Sequence, residues 1–363
     1  MISSGLLGLV RCPDCYRELD GSPQRLTCVG CGRVYESPAD FLDMRPREEF
    51  AEQTKYLDDA LHVDARHERV SPPLLGSKIR NDMLRGFLQP GPGELIVDLG
   101  CGSGRALLWN QDLGATSIGI DIAPFFSRDA REGIDLLLGD LRRLPFADAT
   151  FDKAWSLDVL EHLSPDALAA MLKETARVLK PGGSLFVYTH VRKNAPIAAG
   201  LKWINALARR LEKMDLIDLR QERLRKSDHL NPLRDVPHLE EVVRAAGFRI
   251  GKIRYYTPLV GGFVENIVMR LGERAMAKRA RRNVELRTSN VEGRQKVEGG
   301  KEASEREDDV AVREARSQAK AMIAQRGPVY AALQGLSLAM KLDLLLFGRV
   351  KSGPFFALLV KER

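Results

Sequence analysis

Leu95-Ile96-Val97-Asp98-Leu99-Gly100-Cys101-Gly102-Ser103-Gly104-Arg105 decides how the rest of this chain is read. An apolar run reaches an acid and passes straight into a glycine-rich turn. Leu95 to Val97 have the unbroken apolar character of a strand buried on both faces. Gly100, Gly102 and Gly104 allow a sharp turn and let a ligand come close to the backbone. From Ala106 to Asn110 the sequence reads as the opening of a helix. Strand, glycine turn and helix together make a nucleotide-binding unit of an open α/β sheet.

A lone G-x-G-x-G turn specifies no particular cofactor, so the sequence around it must narrow the reading. Ile118-Gly119-Ile120-Asp121 is a second strand ending in an acid, about twenty residues on, where a carboxylate meets ribose hydroxyls. Leu136 to Asp140 is a third strand with the same ending. Phe151 to Ser156 is a fourth. Leu179-Lys180-Pro181-Gly182-Gly183 closes a helix and leads into a fifth, Ser184 to Thr189.

With these pieces in order, VDLGCGSG, GIDI, GDLRRLPF, FDKAWSLDVLEHL and LKPGG, the chain resembles the class I S-adenosylmethionine-dependent methyltransferases. It is closest to the broad group that contains the ubiquinone and menaquinone methyltransferases. The resemblance implies a seven-stranded, doubly wound, Rossmann-like sheet in the order 3-2-1-4-5-7-6, with strand seven antiparallel. It also implies site roles. The backbone at Gly100, Gly102 and Ser103, with Gly104 closing the turn, would meet the amino-acid tail of S-adenosylmethionine. Asp98 would favour its ammonium group. Asp121, with Ile122 beside it, would accept from the ribose hydroxyls. Asp140 and the amide of Leu141 would read the adenine edge, and Leu157 would lie near the methyl group. Cys101 belongs to the same cofactor-binding turn, and its side chain reads as a small buried group rather than a nucleophile.

Methyl transfer is an in-line attack that depends on alignment. A base is needed only where the nucleophile must lose a proton. His162, just after strand four, is the candidate catalytic residue, with His190 after strand five a weaker one; a histidine near its free pKa suits proton transfer. Strand four ends Ser156-Leu157-Asp158-Val159, which lacks the Asn/Asp-Pro-Pro-aromatic motif of enzymes that methylate base amino groups. No cysteine stands where cytosine C5 methylation needs one. A histidine-rich iron or zinc set is not visible. The expected acceptor is a small or lipid-like molecule, methylated on oxygen or carbon. RNA is the alternative, and a non-catalytic cofactor-binding scaffold is the reading outside catalysis.

Of five cysteines, four fall as Cys12-x2-Cys15 and Cys28-x2-Cys31, twelve residues apart. Two such knuckles place four thiolates tetrahedrally around zinc. Disulfides are disfavoured in a cytosolic enzyme. Residues 1–46 therefore read as a zinc ribbon, turning at Asp20-Gly21. Its metal would be structural, because a closed four-cysteine site leaves no open position and metal binding stabilises a domain too small to bury its own core. The ribbon resembles the small zinc domain fused to, or partnering, some methyltransferases. It would serve as a stabilising cap or a docking surface for RNA.

The 363 residues carry a net charge of +7 and 44% hydrophobic residues, ordinary for a globular enzyme and permissive of anionic partners. Met1 to Val10 lacks a basic start and a cleavage site, so no signal peptide is expected. No uncharged apolar run is long enough to span a bilayer, and a cytoplasmic location is the default. Residues 47–71 read as a linker in which Tyr56 could reach the cofactor. The methyltransferase domain occupies 72–261, starting with a helix at Pro72-Pro73. Within it, 191–234 form a lid-like insert with a helix at Ala195 to Leu211. A second insertion, 262–348, separates strand six, Phe248 to Tyr256, from the last strand, Pro354 to Lys361, within 349–363. It opens on an apolar helical pattern, passes Lys278 to Arg282, runs through a charged stretch at 283–327, and ends in the apolar Val329 to Phe347. Those helices would either cap the core or a second subunit, or touch a membrane surface peripherally.

Overall fold

The computed structural model describes residues 2–47, 70–192, 195–219, 229–276 and 327–362, together with Arg223 and Lys278. Tyr56, nearly all of the proposed linker, Arg279 to Arg282 and the charged stretch up to 326 lie outside the described residues.

The N-terminal region opens with α1 (Ser4–Leu9), capped where the Ser3 hydroxyl accepts from the Leu6 amide at 3.0 Å. Three short antiparallel strands follow, β1 (Leu19–Ser22), β2 (Arg25–Cys28) and β3 (Val34–Glu36). Asp20-Gly21 is not the turn. Ser22 pairs with Arg25, so Pro23 and Gln24 make it. Gly21 instead lies inside β1 at φ +128°, where a Cβ would stand 2.3 Å from the Arg25 carbonyl. Proline presets the turn dihedral, and glycine is needed for the close approach.

The chain then leaves the ribbon as β4 (Leu42–Asp43). It continues as α2 (Leu75–Leu88), β5 (Leu95–Leu99), α3 (Arg105–Trp109), β6 (Thr116–Asp121), α4 (Arg128–Gly133), β7 (Asp135–Leu138) and β8 (Phe151–Leu157). Next come α5 (Pro165–Val178), β9 (Leu179–His190), α6 (Ala199–Lys213), α7 (Val236–Ala245), β10 (Phe248–Tyr255), α8 (Leu259–Phe263), α9 (Pro328–Phe347) and β11 (Pro354–Lys361). Local signals set these ends. Ser164 accepts from the Ala167 amide and Pro165 starts α5, whose buried side Leu168, Met171, Leu172, Thr175 and Val178 follows the helical repeat. The prolines at 72 and 73 precede α2 rather than start it.

One sheet holds eight strands in the order β10-β11-β9-β8-β5-β6-β7-β4. Seven of them reproduce the implied order, with β11 antiparallel to both neighbours. The eighth is an addition. β4 pairs in parallel with β7, and Met44 continues the ladder by donating to the Leu138 carbonyl at 2.8 Å. The ribbon is thus built into the sheet edge. Leu6, Val10, Cys12, Tyr35 and Met44 share one apolar core with Val97, Leu99, Phe151 and Leu185.

The opposite face is covered by α2 and by the late insertion. Ile79, Leu84, Ile96, Trp155, Phe186 and Phe356 form a core with Val264 and Met340. The buried Asp343 carboxylate on α9 accepts from the amides of Val260 and Gly261 at 2.9 and 2.8 Å, holding the first turn of α8. The Lys341 ammonium stands 2.6 Å from Asp82 on α2. The described helices of the insertion therefore complete the fold. Among the described residues one helix, α9, is long and apolar enough by length and composition to cross a membrane. Its charged residues are held by these protein contacts, while Leu338, Leu342, Leu345 and Leu346 face outward.

Candidate active site

The glycine turn follows β5 at the carboxyl end of the parallel strands, where open α/β sheets bind ligands. The amides of Gly100 and Cys101 both donate to the Ile120 carbonyl, at 2.9 and 3.1 Å, so the turn is pinned to the end of β6. Gly100, Gly102 and Gly104 all have positive φ, at +82°, +53° and +79°. Two of them are also required by packing. A Cβ at Gly100 would stand 2.4 Å from Val159, and one at Gly104 would stand 2.6 Å from Ala130. Gly102 differs, with no atom within 4 Å of where its Cβ would be. Its exposed backbone faces open space, the arrangement a close-approaching ligand requires.

Asp121 organises this turn. One carboxylate oxygen accepts from the Gly102 amide at 2.7 Å and the other from the Ala123 amide at 2.9 Å. Burial raises its pKa and these amides oppose the rise. A carboxylate offers about four lone-pair directions, so capacity remains for a further donor. Asp98 is 2% exposed, and burial pushes its pKa up to about 7. Burial also drives the Cys101 thiol well above its ordinary value, consistent with an inert packing group. Asp140 is clasped by Arg142: the Arg142 amide and Nε donate to one oxygen at 2.8 and 2.9 Å, and the terminal guanidinium nitrogen to the other at 2.7 Å. An adenine amino group there would share an occupied acceptor. Leu141, Ile122, Ser103 and Leu157 are half-buried around the same end of the sheet.

A second group gathers beyond β8. Asp158, at φ +57°, donates its amide to the Tyr188 carbonyl at 3.1 Å and pairs with Arg80 of α2 at 3.2 Å. The next turn carries Glu161 and His162. Glu161 is 4% exposed, accepts from the Thr189 hydroxyl at 2.9 Å, and has its pKa raised to about 7 by burial and by Asp158. The His162 ring stands perpendicular to that of His229, 4.7 Å away, and His190 lies 5.5 Å from His229. Three histidine rings therefore gather here, a cluster the sequence did not show. It escaped the sequence because His229 arrives from the far end of the first insert, with no fixed spacing to the Leu160-Glu161-His162 turn.

The four ribbon cysteines converge. Cys12 and Cys31 sulfurs are 3.7 Å apart, and Cys15 and Cys28 sulfurs 3.4 Å. Zinc–sulfur bonds of about 2.3 Å in a tetrahedron set sulfur pairs about 3.8 Å apart, so the donor set fits. Burial works against ionisation of Cys28, but the amides of Cys31 and Gly30, each 3.4 Å from its sulfur, outweigh it and bring its pKa to about 7.

Residues 97–187 match the family described as a methyltransferase domain. Curated relatives include the mouse "Probable tRNA methyltransferase 9B", 34% identical over 35% of this chain and 29% of its own length. The demethylmenaquinone methyltransferase of Corynebacterium kroppenstedtii is 41% identical over 28% of this chain and 43% of its own. The 27-O-demethylrifamycin SV methyltransferase of Amycolatopsis mediterranei is 30% identical over 42% and 56%. The chain spans less than two thirds of each. A solved phosphoethanolamine N-methyltransferase 2 from Haemonchus contortus, in complex with S-adenosyl-L-methionine, superposes with a TM-score of 0.43 at 15% identity, over 80% of this chain and 54% of that one. So loose a superposition says nothing about function.

Proposed function

We propose that the chain, whose residues 97–187 match a methyltransferase-domain family, binds S-adenosylmethionine at the Gly100–Gly104 turn and transfers a methyl group to an oxygen or carbon of a small or lipophilic acceptor. The observation that carries this is the open backbone face at Gly102, held in place by the Asp121 carboxylate. The cofactor would supply a methyl group activated on a sulfonium. Gly100, Cys101, Gly102, Ser103 and Gly104 shape the cradle for its amino-acid tail. Asp98, buried beneath, stabilises the ammonium group. Asp121 has acceptor capacity left for the ribose hydroxyls, with Ile122 packing beside them. Asp140 and the Leu141 amide face the adenine, and Leu157 borders the reacting carbon. His162 stands on the turn after Leu157, where an acceptor's proton must leave.

The ribbon holds a structural zinc through Cys12, Cys15, Cys28 and Cys31, and acts as a stabilising edge of the sheet. RNA is the second acceptor reading, supported by relatives named as tRNA methyltransferases and by the net charge of +7. Peripheral membrane contact is supported by the outward leucines of α9. One assay sorts these readings. Labelled S-adenosylmethionine is incubated with the protein and fractionated cell extract, and lipid, RNA, protein and small molecules are counted separately. Label in the lipid or small-molecule fraction is expected. Label confined to RNA would replace this acceptor, and tight cofactor binding with no transfer to any fraction would leave the scaffold reading. Sedimentation with anionic vesicles at low salt tests the membrane contact, and failure to sediment removes it.

A further inference from the structure

The proposed function uses His162 but leaves its neighbours Glu161 and His229 without an assigned role. One ligand atom from each of Glu161, His162 and His229 lies within 4.8 Å of the other two. We propose that these three side chains bind a divalent transition-metal ion that holds an oxygen of the methyl acceptor. The role at the acceptor rests on the methyltransferase reading; the metal site itself does not.

The donor set is the first argument. Two imidazoles and one carboxylate suit zinc, iron and similar ions, and three protein ligands leave coordination positions open. Metal–ligand distances of about 2.0–2.2 Å place neighbouring ligand atoms about 3.0–3.5 Å apart, so small ring rotations would close the group. This contrasts with the four ribbon thiols, which leave nothing open.

Preorganisation is the second argument. Glu161 and His162 sit on the 3-10 turn Leu160–His162, directly after β8. His229 is brought in by the returning insert, and that return is fastened on both sides. The Asn231 amide donates to the Glu161 carbonyl at 2.9 Å. The Arg192 guanidinium donates to the carbonyls of Asn231 and Leu230 at 2.6 and 3.1 Å. Thr189, itself 1% exposed, donates to the Glu161 carboxylate and so orients it, as a supporting group does for a metal-bound carboxylate. The His190 ring lies 5.5 Å from that of His229.

Location is the third. The turn follows Leu157, at the carboxyl edge of the strands, so the ion would stand on the acceptor side of the transferring carbon. It would lower the pKa of an acceptor hydroxyl coordinated to it. The O–H proton then leaves to water or buffer. The oxygen forms the new C–O bond as the S–C bond breaks, and that bond's electron pair stays on sulfur. In this arrangement His162 is a ligand rather than a base, and the acceptor class narrows to hydroxyl-bearing molecules.

The test is zinc stoichiometry of the full chain after equilibrium dialysis against zinc under reducing conditions. The wild type should hold two zinc ions, one in each site. His162→Ala/His229→Ala should hold one, and so should Cys28→Ser/Cys31→Ser. Single variants His229→Gln and Glu161→Gln should weaken the second ion at least about tenfold. S-adenosylhomocysteine affinity, measured in parallel, should be unchanged in the histidine variants, which shows that they are folded. It also keeps failure of this site apart from failure of the cofactor reading. Should the double variant not fold, His229→Gln carries the comparison. A wild type with a single zinc that vanishes in the cysteine variant overturns the proposal, as does an unchanged count in the histidine variants.

Discussion

The two halves of the carboxyl edge are built on different principles. On the side proposed for the cofactor, between β5 and β7, the arrangement rests on backbone groups of one turn meeting the end of the next strand: the amides of Gly100 and Cys101 meet Ile120, and that of Gly102 meets Asp121. On the side proposed for the acceptor, beyond β8 and β9, side chains from distant segments converge: Arg80, Asp158, Glu161, His162, His190 and His229. Backbone recognition forces particular residues into the sequence, because only glycine tolerates both the dihedrals and the approach. Side-chain recognition can be supplied from any element that reaches.

Several substitutions would sharpen or break this contrast. The largest effect is expected at Gly102→Arg, where the new side chain enters the one open face of the turn at a left-handed φ; calorimetry should show no measurable S-adenosylmethionine binding. Asp121→Ala removes charge-assisted hydrogen bonds worth about 1.5–3 kcal/mol each, so affinity should fall on the order of 100-fold. Unchanged affinity in both variants would end the cofactor assignment.

His162→Ala should slow transfer by roughly 10²-fold or more while leaving cofactor affinity intact. A joint loss of both would mean that the two halves are not separable.

A smaller effect follows from Asp98. Burial holds its proton up to about pH 7 in the cofactor-free protein. Only the ionised form attracts the ammonium tail, so the dissociation constant should rise about tenfold from pH 8 to pH 6. Asp98→Asn should bind weakly with that pH dependence lost. Because the folded pKa is raised, the sign of the linkage is that the cofactor-free fold loses stability as pH climbs from about 4 to 7.

The smallest effect is expected from Cys28→Ser. Zinc should be lost from the ribbon and the melting temperature should drop, with the core sheet still binding cofactor. A melting curve identical to the wild type would remove the stabilising role of the ribbon.

The same contrast explains what could be read in advance. The glycine turn and the strand-end acids Asp98, Asp121 and Asp140 were legible as short patterns whose spacing follows from backbone geometry, and the strand order came with the family resemblance those patterns carry. β4 was not: Leu42 and Asp43 are two residues, too few for any periodicity, and their partner is Leu137 and Leu138. The clasp of Asp140 by Arg142 was equally hidden, since a strand-end acid followed two residues later by arginine is unremarkable as sequence. For the late insertion the sequence left a cap on the core and a membrane contact both open. The buried Asp343 carboxylate, which ties α9 to the first turn of α8, joins it to the core and has no sequence pattern of its own. Excising 262–348 is therefore expected to damage the core.

The place of β11 has a kinetic meaning. β10 meets the sheet only through β11, and the whole late insertion separates the two in sequence. Pairing them closes a long loop whose entropy cost precedes any gain from contacts, so this edge should assemble late. Until it does, β9 offers an unpaired row of amides and carbonyls to any passing strand. Refolding followed by pulsed hydrogen exchange should protect Ile96 to Leu99 before Arg249 to Arg254. In the interval the chain would be at its most prone to self-association, and most in need of dilution or a chaperone.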